Sequence, residues 1–197
     1  GVEINRQAPI FVSASGTFSA SATAGAAFVQ STGAPDLTVG QVVAQGDVAL
    51  TSPKSILVAA NQLGALFAQQ VKNFGNLTLT AGSGDIGAAG RSFTYAADGN
   101  LVAAQASGSV YLNYAGGIAT PKTEMTIGRV FAGQPVSMNS ATGGISSYLP
   151  GLASTSQDIW LNASGGDIGR PGNALNVRTD AGALTGTASG GSHVNSP

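Results

Sequence analysis

Residues Asn76 to Asn113 and Asp158 to Asn195 are two copies of one segment, and they align without a gap at an offset of 82. Gly84-Asp85-Ile86-Gly87 falls on Gly166-Asp167-Ile168-Gly169. Leu79 falls on Leu161, Gly90 on Gly172, Phe93 on Leu175 and Asp98 on Asp180. Internal repetition decides architecture before any residue-level signal does. Two further alignments extend it. Ile10 to Gly33 lies over Phe93 to Gly116 at an offset of 83, and Asp36 to Ser52 lies over Glu124 to Ser140 at an offset of 88. Gly1 to Ile4 resembles the end of another Gly-Asp-Ile box. The change of offset places about five extra residues near 118–123, and residues 53–75 run about six longer than 141–157.

The chain is thus about two and a third copies of one unit: 1–83 with a partial start, 84–165, and a partial third at 166–197. The expectation is a segment of a longer array. Within each unit, short alternating apolar triplets recur at short and regular intervals, as at Leu77/Leu79, Phe93/Tyr95, Val110/Leu112, Val136/Met138 and Leu175/Val177. Gly, Asn, Asp, Ser and Thr separate them. Alternation bounded by turn formers predicts strands. Residues 59–75 form a long excursion in which Leu63, Leu66, Phe67 and Val71 share a helical face, interrupted by Gly64.

Many short strands with Gly-rich turns suit an antiparallel sandwich or a β-solenoid. Repetition favours the solenoid, in which equivalent strands stack and matching side chains pile on themselves. The Ala, Val, Leu, Ile, Ser and Thr vocabulary, with only 12 aromatics, suits a narrow interior. Coils of about 20 residues predict four coils per unit and nine to ten in all, a rod ~45 Å long at the strand spacing of ~4.8 Å.

Charge narrows the partners. Lys and Arg number 8 and Asp and Glu 9, for a net charge of −1. Charged residues are 9% of the chain, against roughly 25% in a typical soluble domain. No basic patch for nucleic acid can be built from so few cations. There is no cysteine, which removes disulfides, thiolate metal sites and cysteine nucleophiles.

Leu77 to Gly87, with the Phe-x-Tyr strand that follows, resembles the repeats of filamentous-haemagglutinin-like adhesins. So do Gly108 to Asn113 and Asp36 to Ser52. The resemblance covers essentially the whole chain through the order and repetition of motifs that are individually weak. It implies a right-handed parallel β-helix, export through an outer-membrane β-barrel secretion partner, and display at the cell surface of a Gram-negative bacterium. For the parent protein it implies adhesion or biofilm formation on a host-surface or matrix polysaccharide or protein ligand.

Reactive chemistry is sparse. The Gly-Asp pairs at Asp47, Asp85 and Asp167 lack the tandem spacing of calcium-binding repeats, so a turn role outweighs a metal site. Asp98 and Asp180 read the same way. Asn113, Asn139, Asn162 and Asn195 follow strand ends and predict a stacked amide ladder along a corner. His193, the only histidine, aligns with Tyr111 and reads as a strand-surface residue. Serine is plentiful but has no second histidine or nucleophile elbow with which to form a triad. The expectation is a non-catalytic stalk without metal or cofactor. Two alternatives stand beside it: a self-assembling fibre or surface-layer subunit with end-to-end association, and a tailspike-like carbohydrate-binding or carbohydrate-cleaving β-helix. Cleavage would need two carboxylates about 5–10 Å apart. The candidate binding surface is Tyr111, Tyr114, Tyr148 and Trp160. Loops at 59–75, 117–124 and 146–157 are further candidates, since loops on rigid scaffolds tend to carry function.

Overall fold

The computed structural model describes residues 9–13, 15–33, 35–60, 71–119, 122–155 and 157–196. The Gly1 to Ile4 box and the proposed helical face at Leu63, Leu66 and Phe67 lie outside these residues. Strands alternate along the chain between two parallel sheets. The first sheet holds β1 (Ile10–Val12), β3 (Ala27–Ser31), β5 (Val48–Ser52), β8 (Leu77–Ala81), β10 (Leu101–Ala106), β12 (Met125–Ala132), β14 (Ile145–Thr155), β16 (Leu175–Thr179) and β18 (Val194–Asn195), in that spatial order. The second holds β2 (Thr17–Ala22), β4 (Leu37–Ala44), β7 (Val71–Asn73), β9 (Phe93–Ala97), β11 (Val110–Tyr114), β13 (Val136–Ser140), β15 (Ile159–Ala163) and β17 (Leu184–Ala188). A short β6 (Ile56–Val58) pairs with the first half of β4, and β7 pairs with its second half. The two share one position in the stack, with 59–70 between them in sequence. The described residues contain no α-helix.

The all-β class, the parallel pairing and the stacking of matching positions agree with the sequence. Val110, Val136 and Ile159 occupy one inward column, continued by Leu184, which is exposed in the last layer of that sheet, and Leu112, Met138 and Leu161 occupy the next. Inward residues of both sheets form a single buried cluster. Each fully buried aliphatic side chain contributes roughly 1.5–3 kcal/mol over exposure. The last inward column of the first sheet is small, running Ser52, Ala81, Ala106 and Ala132.

The repeat maps onto this stack in a way the sequence reading missed. At the offset of 82, β8 matches β15, β9 matches β16, β10 matches β17 and β11 matches β18, and every pair is split between the two sheets. A unit spans seven strands, with β6 and β7 counted as one. That is three and a half layers, not the four expected. The correction has a simple cause: most layers are longer than the expected coil. Ile10 to its partner Val29 is close to the expected length, but Val48 to Leu77 and Val110 to Val136 both exceed it. Successive units therefore present the same pattern on opposite faces.

Part of the extra length is the Gly-Asp-Ile-Gly box. Ile86 and Ile168 are fully buried and bridge to the layers on both sides. Immediately after each, the chain turns outward in a four-residue hairpin, Ala88 to Arg91 and Arg170 to Asn173. Gly87 and Gly169 both have φ +69°, while Gly90 and Gly172 have +72° and +77°. A side chain would be strained at each. Pro171-Gly172 supplies the residue pair of a type II turn.

Turns are tied to turns. Asp47 Oδ1 accepts the Asn76 amide of the next layer at 2.7 Å, and Asn76 Oδ1 accepts that of Asn100 at 2.9 Å. Asp85 and Asp167 accept from Ser109 and Gly191, both at 2.6 Å. Asp158 accepts from Ala183 at 2.7 Å. The turn role holds for these aspartates, but the donor lies one layer on rather than two residues on. Beside them Gly25, Gly46, Gly75 and Gly99 stack, each amide donating to the preceding glycine's carbonyl. A Cβ on Gly75 would lie 2.6 Å from the Asp47 amide nitrogen and the Gly46 carbonyl carbon. We expect Gly75→Ala to cost about 1–3 kcal/mol through forced backbone shifts. Gly16→Ala, where a Cβ meets nothing within 4 Å, should leave the denaturant midpoint nearly unchanged. Equal midpoints for the two variants would contradict this account of the turn stack.

Candidate functional site

Alternation within each strand decides which candidate aromatics reach solvent. In β11 the inward residues are Val110, Leu112 and Tyr114, and the outward ones are Tyr111 and Asn113. Tyr114 is therefore core, at 1% exposure, and the expectation that it forms part of a binding surface is corrected. Its ring packs against Tyr95 with centroids 5.3 Å apart. Its hydroxyl lies 3.0 Å from the Ala97 carbonyl and 3.1 Å from that of Lys122. Tyr148 is 39% exposed on the other sheet and lies across β12. A Cβ added to Gly128 would come within 2.8 Å of its hydroxyl.

Tyr111 and Trp160 do share a face. The second sheet aligns Tyr111, Ser137, Trp160 and Thr185 as one outward row. Two residues along each strand, Thr94, Asn113, Asn139, Asn162 and Thr187 form a parallel row. The second row is an amide ladder. Asn113 Nδ2 donates to Thr94 Oγ1 at 3.3 Å, Asn139 Nδ2 to Asn113 Oδ1 at 2.5 Å, and Asn162 Nδ2 to Asn139 Oδ1 at 2.6 Å. The predicted ladder exists for these three asparagines, on a strand face rather than at a corner. Asn195 belongs to the other sheet and donates to Asn176 Oδ1 at 3.4 Å. Between the two rows lies an open depression of about 380 Å³, with Ser137, Asn139, Trp160, Asn162, Thr185 and Thr187 along it. Trp160 is 40% exposed.

Several titratable residues tie the scaffold together. Asp98 accepts the amides of Ile118 and Ala119 at 2.7 and 3.1 Å, while Asp180, its repeat equivalent, pairs with Arg178 on the surface at 3.3 Å. Lys122 Nζ donates to the Gly99 carbonyl and, at 3.1 Å, to Asn100 Oδ1. Burial lowers its pKa, opposed by Glu124 and Asp98. These contacts fasten the described part of the 118–123 insertion to the turn beneath it. Glu124 is ion-paired with Arg170. The His193 amide donates to the Ile168 carbonyl, as that of Tyr111 does to Ile86, so its strand-edge placement follows the repeat.

The chain has no match among protein-family models, curated proteins or solved structures.

The two buried tyrosines give a pH signature. Burial raises both phenols above their ordinary value, with Tyr114 adding to the shift of Tyr95 and Asp98 and Glu124 adding to that of Tyr114. The fold thus favours the neutral phenols. Their contribution to stability is complete below the unfolded pKa of about 10 and is lost as pH rises above it. The Tyr95 hydroxyl has no hydrogen-bond partner among the described residues. We expect Tyr95→Phe to be neutral or stabilising by about 1 kcal/mol, because it removes an unpaired buried polar group. Tyr114→Phe should cost about 1 kcal/mol at neutral pH, and either change should flatten the loss of stability above pH 10. Denaturant melts at pH 7 and 11 check this; a larger loss at pH 7 for Tyr95→Phe than for Tyr114→Phe would refute it.

Proposed function

We propose that this chain is a non-catalytic stalk segment of a large secreted adhesin, folded as a right-handed parallel β-helix and displayed at the surface of a Gram-negative bacterium. In this reading its parent leaves the cell through an outer-membrane β-barrel partner and mediates attachment or biofilm formation. One observation carries the stalk role. The chain's main investment is in joining each layer to the next, through parallel ladders in both sheets and through Asp and Asn side chains that cap the following turn. Such a stack transmits length and stiffness and needs no reactive group. The surface and secretion parts of the reading rest on the motif resemblance of Leu77 to Gly87, Gly108 to Asn113 and Asp36 to Ser52.

The carbohydrate-cleaving alternative would draw on the chain's few carboxylates. Asp47, Asp85, Asp98, Asp158 and Asp167 are each occupied by backbone amides, which favours the structural reading.

Electron microscopy of the purified chain across a concentration series tests the proposal. Nine stacked strands at ~4.8 Å predict separate rods about 40 Å long at every concentration. Long filaments growing with concentration would replace the stalk by a self-assembling fibre. A globule with no layered density would overturn both.

A further inference from the structure

The repeat provides an internal control for the outward face. Because successive units land on opposite sheets, the second sheet's Tyr111, Ser137, Trp160 and Thr185 have counterparts on the first sheet: Phe28, Ala49, Thr78 and Ala103. Those four are themselves one aligned row. Asn113, Asn139, Asn162 and Thr187 correspond likewise to Gln30, Thr51, Thr80 and Gln105, again one row. The same scaffold is therefore built twice. On the first sheet the tryptophan position holds Thr78, and two of the ladder asparagines are Thr51 and Thr80. The stack does not need an exposed indole or an amide ladder at these places.

From this difference and the shape of the depression, we propose that the second sheet's outer face binds a neutral glycan chain, with a pyranose ring stacked on Trp160 and its hydroxyls met by the amide ladder. Three features support this occupant. The indole offers a flat apolar surface beside polar groups, the arrangement of a small-molecule site in which a few placed donors and acceptors fix orientation. No lining residue is charged, so nothing in the depression neutralises a sulfate or carboxylate. The ladder is also polarised. Each side-chain amide in the ladder donates back to the preceding layer, with Asn162 Nδ2 also 3.4 Å from Ser164 Oγ, which leaves Asn162 Oδ1 as the terminal acceptor, facing the Thr187 layer. An acceptor and flanking Thr and Ser hydroxyls suit a polyol, which both donates and accepts. The two rows run perpendicular to the strands, so an extended oligosaccharide would lie along the stack. The inference concerns this face alone and does not depend on secretion, parent protein or family.

Trp160 is the only tryptophan in the chain, so intrinsic fluorescence reports on the site directly. The probes are the hexasaccharides of β-1,4-glucan, β-1,3-glucan and β-1,4-mannan as neutral chains, with hexagalacturonate and a heparin hexasaccharide as acidic ones. We expect at least one neutral chain to give a saturable change in Trp160 emission. By calorimetry, Trp160→Thr, which installs the first-sheet residue, should weaken that chain by about tenfold or more, as truncation of a central aromatic anchor does. Asn162→Ala should weaken it too, and Thr78→Ala, on the opposite face, should leave it unchanged. Circular dichroism and an unaltered melting midpoint for Trp160→Thr would separate loss of ligand from loss of fold. The proposal is overturned if none of the three neutral chains binds at millimolar concentration, if only the acidic probes bind, or if Trp160→Thr binds as the parent does. None of these outcomes bears on whether microscopy shows separate rods, so failure of the glycan face and failure of the stalk reading are distinguishable.

Discussion

Everything in this molecule depends on keeping strands in parallel register at the strand spacing, layer on layer. Parallel pairing leaves no freedom to slip by one residue, because a slip turns every inward side chain outward. The columns Val110–Val136–Ile159 and Leu112–Met138–Leu161 fix that register from inside. The Asn113–Asn139–Asn162 ladder fixes it from outside, and the aspartates fix it at the turns. Layer lengths vary, and the box hairpins take up part of the variation outside the stack, where it leaves the register intact.

The half-layer in the repeat has a functional consequence. A unit of whole layers would put every copy on the same face. A unit of three and a half layers puts equivalent positions on alternate faces, so each face mixes positions from different copies. The box hairpin at Ala88 to Arg91 leaves the second sheet and the one at Arg170 to Asn173 leaves the first. The long interruption after β6 belongs to the second sheet. The shorter one, where β14 shifts register against β12 between Ile127 and Arg129, belongs to the first. This leaves β11, β13, β15 and β17 paired without a register shift, with the aromatic and amide residues on the first three.

Much of this was legible in the sequence. Alternation named the strands, repetition favoured parallel stacking, and the Asp and Asn positions pointed to turns and ladders. Parity would also have sorted the aromatics. Tyr114 shares its parity with Val110 and Leu112, and Trp160 is flanked by Ile159 and Leu161, so the sequence alone distinguishes core from surface here. Two features were not legible. The number of layers per unit depends on how many residues each layer expels, and Gly87 to Ser92 reads as strand spacing until its hairpin is seen. The donors to Asp47, Asp85, Asp158 and Asp167 lie 24 to 29 residues away in sequence, beyond the reach of any local turn rule.

The absence of cysteine makes the register directly measurable with nitroxide labels on introduced cysteine pairs. Gln30 and Phe131 lie in one outward row of the first sheet, joined through Thr51, Thr80 and Gln105. Four strand spacings separate them, about 19 Å, although about half of the chain lies between them in sequence. Dipolar electron paramagnetic resonance on Gln30→Cys/Phe131→Cys should give a single narrow distribution near that distance, broadened only by the reach of the labels. A broad distribution, or one centred well beyond the reach of the labels from that distance, would contradict the stacked register on which the fold and both proposals rest.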